Sequence, residues 1–327
     1  MLVHKYKGDD VPFNPEKAID EAEKYLKNTI GTQSALIALS GGVDSFTAAA
    51  LAARTLPHFH AFFIDTGLMR KNEKQNVIDA AKKAKIPLDV IDAKKEFLAA
   101  LKGVTDPESK RKKIGALFIE LFEKEAKKIH ATYLIQGTIA PDWIESGGLG
   151  RETIKSHHNV GGLPEKMHLK LCEPLREWYK HEVRLVAKTL GLPSFVYARQ
   201  PFPGPALAVR IIGEITEEKI EIVREATAIT EEELEKASEK NEIELPWQYF
   251  AALLDSKAVG VRGDERSYQY IVVIRAVRSL DGMTANFSQI KWDVLQRIST
   301  RITNEIRTVG RVVYDITNKP PGTIELE

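Results

Sequence analysis

The segment 35–56, ALIALSGGVDSFTAAALAARTL, decides the fold that we expect for this chain. It begins as a short apolar run, is broken by Ser40-Gly41-Gly42, and continues from Asp44 as an alanine-rich helix former. This order predicts a buried strand, a tight glycine loop and a helix. Adjacent glycines let backbone N–H groups turn inward, and the start of a helix adds the positive end of its dipole. The loop therefore suits a phosphate group.

The same residues allow a plainer interpretation, in which Asp44 or Ser45 only caps the helix after an ordinary strand-to-helix turn. No lysine follows the glycines as it does in GxxxxGK[ST] loops, and the GxGxxG dinucleotide pattern is missing too. An acidic residue beside a phosphate needs a cation between them, and Mg²⁺ on a polyphosphate is the natural one. The residues thus predict either a helix cap or a magnesium site with Asp44 as the metal ligand.

The motif SGGVDS resembles the pyrophosphate loop of the N-type ATP pyrophosphatases. In that family the loop holds the β- and γ-phosphates, which leave together when an acceptor oxygen attacks the α-phosphate. The resemblance implies that ATP is bound by the loop and by residues at two further strand ends. These residues are Ser40, Gly41, Gly42, Val43, Asp44, Ser45, Phe46, Asp65 and Gly137.

Composition limits the classes to which the chain can belong. At 327 residues it is long enough for two domains, and 47 basic against 46 acidic side chains give no field that calls for nucleic acid. A single cysteine, Cys172, excludes a disulfide framework and a CxxC metal site. We see no long apolar run and no signal-peptide pattern, so we expect a cytoplasmic protein with no membrane partner.

Strand-like and helix-like segments alternate through the first 199 residues. This alternation predicts an α/β fold with a parallel sheet, whose ligands collect at the carboxyl ends of the strands. The glycine loop, Asp65-Thr66-Gly67 and Gln136-Gly137-Thr138 all follow predicted strands, so we expect one cleft to hold them. The predicted strands and helices after the loop are 58–65, 72–85, 88–92, 132–137 and 179–190.

Two polar stretches of this first domain are candidates for further site residues. The run DPESKRKK (106–113) is typical of a solvated helix face, although Arg111 lies near the expected mouth of the cleft. The glycine-rich stretch 138–164 is either a solvated loop or a lid, and its mixture of charges and histidines favours a lid that stabilises charge on phosphates. Its candidate catalytic residues are Asp142, Glu145, Lys155, His157 and His158.

The proline-rich segment RQPFPGPAL (199–207) is the best domain boundary. We therefore predict an ATP pyrophosphatase domain at 1–199 and a smaller α+β domain at 200–327. The second domain begins with a charged helix from Thr216 to about Lys240 and continues with strands around a helix at 288–308. Its final Pro-Pro-Gly turn indicates that the polar segment after it is held in place, whereas dimerisation is the plainer role for such a domain.

Over most of its length the chain resembles the GMP synthetases. The motifs that carry the resemblance run in order from residue 36 to the last residue: LSGGVDS, IDTGLMRKNE, DPESKRKKIG, IQGTIAPDWIES, IKSHHNVGGLPE, RQPFPGPALAVR, VGVRGDERSY, DGMTANF and RVVYDITNKPPGTIELE. Phe46 and Leu326 depart from the family pattern, where a small hydroxyl residue and a tryptophan are common. Neither departure removes a polar group on which the assignment depends.

The resemblance implies a reaction and a second set of site residues. In this family ATP adenylylates xanthosine monophosphate (XMP), pyrophosphate leaves, and ammonia then displaces AMP to give GMP. Asp44 would bind Mg²⁺, and the lid residues would close over the phosphates. The positions that match XMP contacts are Arg111, Gln248, Asp264, Lys319 and Glu325.

The resemblance also implies partners. The chain has no counterpart of the glutaminase domain of fused GMP synthetases, so it looks like the synthetase subunit of a split enzyme, with ammonia from a separate glutaminase subunit or from solution. The family match further implies a homodimer. NAD synthetase, a tRNA thiolase and a non-catalytic nucleotide-binding dimer are the alternatives. The single cysteine argues against the thiolase, and an NAD synthetase would leave the KPPGTIE segment without a role.

Overall fold

The computed structural model describes residues 13–145, 169–262, 265–280 and 282–327. By the packing of its backbone the chain forms two compact units. The first consists of the described residues up to 61 together with 80–88 and 129–199, and the second of 62–79, 89–128 and 200–327. Position 199/200 divides the units as it divides the predicted domains, but two earlier segments pack with the second unit. The predicted division into 1–199 and 200–327 stays a prediction.

A five-stranded sheet carries the glycine loop. Its strand order is β3-β2-β1-β4-β5, and β4 pairs in parallel with both β1 and β5. The predicted α/β fold with a parallel sheet is confirmed. The strands are β1 (Ala35–Ala38), β2 (Phe59–Asp65), β3 (Leu88–Asp92), β4 (Tyr133–Ile135) and β5 (Lys170–Cys172).

The helices that precede residue 200 begin at residues suited to helix starts. Pro15 occupies the first turn of α1, and the Asn14 side chain accepts a hydrogen bond from the Lys17 N–H. Helix α2 begins at Val43, one residue earlier than predicted, with Gly42 as its cap. The helices are α1 (Pro15–Thr29), α2 (Val43–Thr55), α3 (Glu73–Lys83), α4 (Lys94–Leu101), α5 (Pro107–Lys128), α6 (Ala140–Glu145), α7 (Lys180–Thr189) and α8 (Ser194–Tyr197).

The second unit contains a mostly antiparallel sheet. Strands β6 (Gln248–Arg262) and β7 (Glu265–Arg278) form a long hairpin, and β7 also pairs with β8 (Asn286–Phe287) and, in parallel, with β9 (Val309–Tyr314). Helices α9 (Glu217–Glu239) and α10 (Trp292–Glu305) accompany the sheet, and a 3-10 turn at Ala206–Arg210 precedes them. The predicted small α+β region is thus present in the second unit.

Two smaller predictions can be checked as well. Cys172 ends β5 and is fully buried, and burial raises the pKa of its thiol to about 11, as expected for an inert core cysteine. The segment after β9 is held in place, because Lys319 and Ala285 exchange main-chain hydrogen bonds of 2.7 and 3.0 Å. Among the helices that the structure describes, none is long and apolar enough to cross a membrane.

Candidate active site

Serine side chains hold the glycine loop in shape. The Ser40 N–H donates to Ser45 Oγ at 3.3 Å, the Gly42 N–H donates to Ser40 Oγ at 3.3 Å, and the Ser45 hydroxyl donates to Gly42 O at 3.0 Å. Gly41 has a φ of +82°, a conformation that side chains rarely adopt. The loop leads directly into the first turn of α2, where backbone N–H groups have no partner within the helix. The arrangement is suited to an anion.

Asp44, in the first turn of α2, has one paired and one unpaired carboxylate oxygen. Oδ2 forms an ion pair of 2.5 Å with Lys180 Nζ, while Oδ1 is buried and has no hydrogen-bond partner among the described residues. Burial raises the pKa of Asp44, and the charge of Lys180 opposes that rise. An unpaired buried carboxylate oxygen is costly, so Oδ1 marks a place for a cation.

Magnesium is compatible with this donor set. Mg²⁺ in nucleotide sites is usually held by one or two carboxylates, the substrate phosphates and water. The described residues contain no group of three or more carboxylate, histidine or cysteine side chains that could enclose a metal by themselves. A single free oxygen of Asp44 beside a phosphate loop therefore fits an ion that arrives with its polyphosphate.

Gly137 lies against the start of α2. A Cβ atom at this position would come within 2.8 Å of the Asp44 carbonyl carbon and 3.0 Å of the Ser45 nitrogen. Real side chains do not approach backbone so closely, so only glycine allows the end of β4 and the start of α2 to meet here. Gly137, predicted from its place at a strand end, is thus brought beside the loop.

Three cations near the loop were missed by the sequence analysis. Lys180 and Arg184 lie one turn apart on α7, and the charges of both lower the pKa of Asp44. Arg199 donates from Nη1 to Gly41 O at 3.2 Å. The spacing of Lys180 and Arg184 at a helix start indicates a shared face, but nothing in the sequence relates that face to Asp44, which is 136 residues away.

Other predicted ATP residues have their own surroundings. Asp65 belongs to the second unit, where its carboxylate accepts the Gly67 N–H at 3.1 Å and lies 3.2 Å from Lys94 Nζ. Val43 and Phe46 are buried, so a ligand could meet only their main chain. Both therefore pack the helix behind the loop.

The structure describes only part of the predicted lid. Asp142 is exposed, and its carboxylate accepts the Ile139 N–H at 3.0 Å in the first turn of α6, which ends at Glu145. The predicted residues Lys155, His157 and His158 lie outside the described residues, as does Asp264 of the predicted XMP set.

A second cluster brings Gln248 and Glu325 together. Gln248 Nε2 donates to Glu325 Oε1 at 2.7 Å, and Arg210 binds both oxygens of the same carboxylate at 2.9 and 3.0 Å. The Arg210 guanidinium lies 4.0 Å from the ring centre of Phe250 and 5.1 Å from that of Phe202. Its Nη1 atom is buried, and no described residue of the chain forms a hydrogen bond with it. This cluster is polar and incompletely satisfied, as expected where a ligand is to bind.

The other predicted XMP residues of the described chain have separate contacts. Lys319 donates from Nζ to Gly282 O at 2.7 Å, and Arg111 lies 3.8 Å from the Glu108 carboxylate. The basic run 106–113 was interpreted as a solvated face, and this is wrong for Lys110, whose side chain is fully buried. Helix α5 turns this one lysine of the run inward.

Comparison with known proteins gives a family match for the parallel-sheet part of the chain and another for its C-terminal part. Residues 34–194 match a family model described as the phosphoadenosine phosphosulfate reductase domain, and residues 232–326 match one described as the GMP synthase C terminal domain. The parallel sheet, the glycine loop and the unpaired Asp44 oxygen define an α/β protein of the nucleotide-binding class. More narrowly, the chain belongs to the GMP synthase family.

Curated relatives establish this membership. The chain is 60% identical to a protein of Pyrococcus furiosus named as one subunit of glutamine-hydrolyzing GMP synthase, over 95% of this chain and 97% of the relative. The subunit of the same name from Methanocaldococcus jannaschii is 57% identical, over 96% of this chain and all of the relative. The glutamine-hydrolyzing GMP synthase of Thermotoga petrophila is 54% identical over 94% of this chain, which corresponds to 62% of that longer protein.

Proposed function

We propose that the chain is the ATP-dependent ligase subunit that converts XMP to GMP, releasing AMP and pyrophosphate. The observation that carries the proposal is the intact glycine loop with its unpaired Asp44 oxygen, in a chain 60% identical to a GMP synthase subunit over 95% of its length. No described residue of the loop contradicts that assignment. An NAD synthetase would leave the segment KPPGTIE, which contains Glu325, without a role.

The residues of the first unit bind the triphosphate. The backbone N–H groups of the loop and of the first turn of α2 that make no hydrogen bond within the loop would bind the β- and γ-phosphates, and the dipole of α2 favours their charge. Lys180 and Arg184, whose charges lower the pKa of Asp44, also place positive charge beside the loop, where it would favour binding of the phosphates. Arg199 keeps the loop in shape through Gly41 O. The leaving pyrophosphate is thus stabilised by preorganised donors.

Asp44 Oδ1 is the protein ligand for Mg²⁺ in this proposal. When bound, the ion neutralises phosphate charge and stabilises pyrophosphate as it leaves. Asp142 lies close enough to raise the pKa of Asp44 by its charge, and it adds negative potential that attracts a divalent cation.

The second unit binds the acceptor nucleotide, XMP. Gln248, Glu325 and Arg210 form the proposed XMP contacts, with Arg111 and Lys319 as further candidates. The O2 oxygen of XMP attacks the α-phosphorus and the bond to pyrophosphate breaks, which gives O-adenylyl-XMP. Ammonia then attacks the purine C2, AMP leaves with the C2–O bond pair, and the added nitrogen loses its extra protons to give GMP. Exclusion of water from this intermediate is the role predicted from the sequence for 138–164, most of which lies outside the described residues.

The proposal includes the protein's partners. Its relatives are named as subunits of glutamine-hydrolyzing enzymes, which supports a separate glutaminase subunit as the source of ammonia. We also propose a cytoplasmic homodimer. The exposed apolar side chains of the second unit support self-association, because Trp292 is 84% exposed beside the half-exposed Val313. The molar mass in solution, compared between the wild-type chain and Trp292→Ser, tests this part.

A pyrophosphate-release assay tests the reaction. Purified chain is incubated with ATP, XMP, Mg²⁺ and ammonium, and AMP, pyrophosphate and GMP are quantified by chromatography. We expect the three products in equal amounts, and no pyrophosphate when XMP is omitted. Glutamine should replace ammonium only when the glutaminase subunit is added. Formation of ADP and orthophosphate instead would refute the proposal.

A further inference from the structure

Lys110 and Glu327 form a fully enclosed ion pair between two distant parts of the second unit. The Lys110 side chain on α5 is 0% exposed, and its ammonium donates to the Glu327 carboxylate and, at 2.7 Å, to Ile211 O. The Glu327 side chain is only 5% exposed. Its other carboxylate oxygen accepts the Gly213 N–H at 3.1 Å, and its own N–H donates to Val209 O at 3.3 Å.

Burying this pair is expensive and has to be compensated. Burial lowers the pKa of Lys110, because a charged ammonium loses its hydration, and the Glu327 carboxylate opposes this shift. The neighbouring lysines of the same helix, Lys112 and Lys113, are exposed at little cost. An apolar pair in the same place would anchor the segment at least as stably. The ion pair adds a defined geometry, because its directional hydrogen bonds fix the position of the segment that contains Glu327.

Three of the proposed XMP contacts lie close in sequence to the pair or to a hydrogen-bond partner of the pair. Arg111 follows Lys110 on α5, and Arg210 precedes Ile211, whose carbonyl Lys110 binds. Glu325 is two residues from Glu327, so its Cα can lie no further than about 7 Å from that of Glu327. A displacement of either member of the pair therefore moves the proposed nucleotide contacts.

We infer that Lys110 and Glu327 act as a positioning pair, which sets the place of Glu325 and Arg210 for the acceptor nucleotide and does not touch that nucleotide. This inference rests on the proposed function. Its signature is selective: weakening the pair raises the KM for XMP and leaves the KM for ATP unchanged, because the glycine loop belongs to the other unit and has its own supports.

The test compares single and paired substitutions by steady-state pyrophosphate release with XMP and ATP varied separately. The variants are Lys110→Met, Glu327→Gln, and the double variant Lys110→Met with Glu327→Leu. Lys113→Met is the matched control, since Lys113 lies on the same helix and also donates to a carbonyl, that of Ala100 at 3.0 Å, but is exposed. Thermal denaturation of each variant is recorded beside the kinetics.

We expect the KM for XMP to rise at least tenfold in Lys110→Met and about threefold in Glu327→Gln, whose amide keeps an acceptor for Gly213. The KM for ATP should stay within twofold in both. The double variant separates positioning from stability: it should recover the melting temperature lost by Lys110→Met, because no charge is left unpaired, while its KM for XMP stays at least tenfold raised. Lys113→Met should behave as wild type.

Three results would overturn the inference. One is a KM for XMP within twofold of wild type in the folded Glu327→Gln and double variants. Another is recovery of both the melting temperature and the KM for XMP in the double variant, which would show a purely structural pair. A third is an equal rise in both KM values. Failure of the proposed function has a different appearance, since the wild-type chain itself would then release no pyrophosphate with XMP.

Discussion

The glycine loop and the segment 315–327 bind their proposed ligands by opposite means. The loop uses backbone N–H groups and a helix dipole, and its cations Lys180 and Arg199 are at least partly accessible to solvent. The segment 315–327 is held by the largest buried cations of the second unit, Arg210, Arg275 and Lys110, each no more than 1% exposed. The loop itself lies within six residues, whereas the second site is assembled from elements spread over more than 200 residues. Local and long-range construction thus serve one proposed reaction.

Asp44→Ala should cause the largest loss of activity, and it tests whether the glycine loop is the site of catalysis. Removing the only loop carboxylate leaves no protein ligand for the ion on the phosphates, so we expect the rate of pyrophosphate release to fall about 10³-fold or more. Circular dichroism should show an unchanged fold. Asp79→Ala is the control, because Asp79 is exposed on α3 and only accepts from Gln75. A rate within tenfold of wild type would remove Asp44 from the mechanism.

Arg275→Met should break the second site by destabilising it. Arg275 is fully buried on β7 and donates to the carbonyls of Thr317, Thr323 and Ile324 at 2.5 to 3.4 Å. Its loss strands these acceptors, and we expect the free energy of unfolding to drop by about 3 kcal/mol in urea titrations.

The matched control for Arg275→Met is Arg278→Met on the same strand. Arg278 is half exposed and pairs with Glu244 at 2.9 Å at the surface, so its removal should cost no more than about 1 kcal/mol. Equal losses for the two variants would mean that buried arginine contacts do not hold the segment.

Gly137→Ala should sharpen the comparison, since it tests whether the loop depends on close backbone packing. The added methyl group would collide with the Asp44 main chain and displace the start of α2, so we expect kcat/KM for ATP to fall about 10- to 100-fold. The KM for XMP should change little. Gly115→Ala on α5 is the control, as a Cβ there meets nothing within 4 Å. An unchanged ATP dependence would show that the loop adapts.

The smallest effect on the proposed reaction concerns a buried acid of the second unit. Burial raises the pKa of Glu73 to about 7, although the Arg70 charge opposes the rise. From the ordinary value of 4.5 up to about 7, the folded chain keeps a proton that the unfolded chain has lost, so the free energy of unfolding falls as pH rises through this range. We expect a loss of at most about 3 kcal/mol in urea titrations at several pH values, since one pKa unit corresponds to about 1.4 kcal/mol.

Glu73→Gln should abolish this pH dependence, because glutamine binds no proton. Glu244→Gln should leave the dependence as in the wild type, since Glu244 is 75% exposed. A Glu73→Gln variant that still loses stability between pH 4.5 and 7 to the same extent would assign the proton uptake to another group.

The sequence predicted the parts of the molecule whose causes are local. The parallel sheet, the loop and the α2 start follow from apolar runs, glycines and a helix former within 22 residues, and Gly137 follows from its place after a strand. Gln248 and Glu325 came from family resemblance, since no local pattern singles out one glutamine or one glutamate. The ion pair between Lys180 and Asp44 joins residues that are 136 positions apart in the sequence, and no periodic pattern predicts such a contact.

The buried cations were missed for a physical reason. Lysine and arginine are almost always solvated, so a charged run such as DPESKRKK predicts a surface. Only the direction in which α5 faces makes Lys110 an exception. The same holds for Arg210, which lies three residues after the proline-rich segment 199–207 that the sequence indicates as the domain boundary. Burial of a charge depends on the whole fold, and a single sequence gives no sign of it.

The hydrogen bonds by which Arg275 holds the segment 315–327 determine which of its positions tolerate substitution. Arg275 binds main-chain oxygens of Thr317, Thr323 and Ile324, which every residue type provides. A deep mutational scan should therefore find Thr317 and Ile324 permissive, apart from proline, and Thr323 less so, because its hydroxyl also donates to Glu325 O. Glu325 and Glu327 are held by their carboxylates instead, so the same scan should accept few replacements there. Tolerance to substitution should therefore differ between neighbouring positions of this segment. It should be high where the main chain makes the hydrogen bond and low where the side chain makes it.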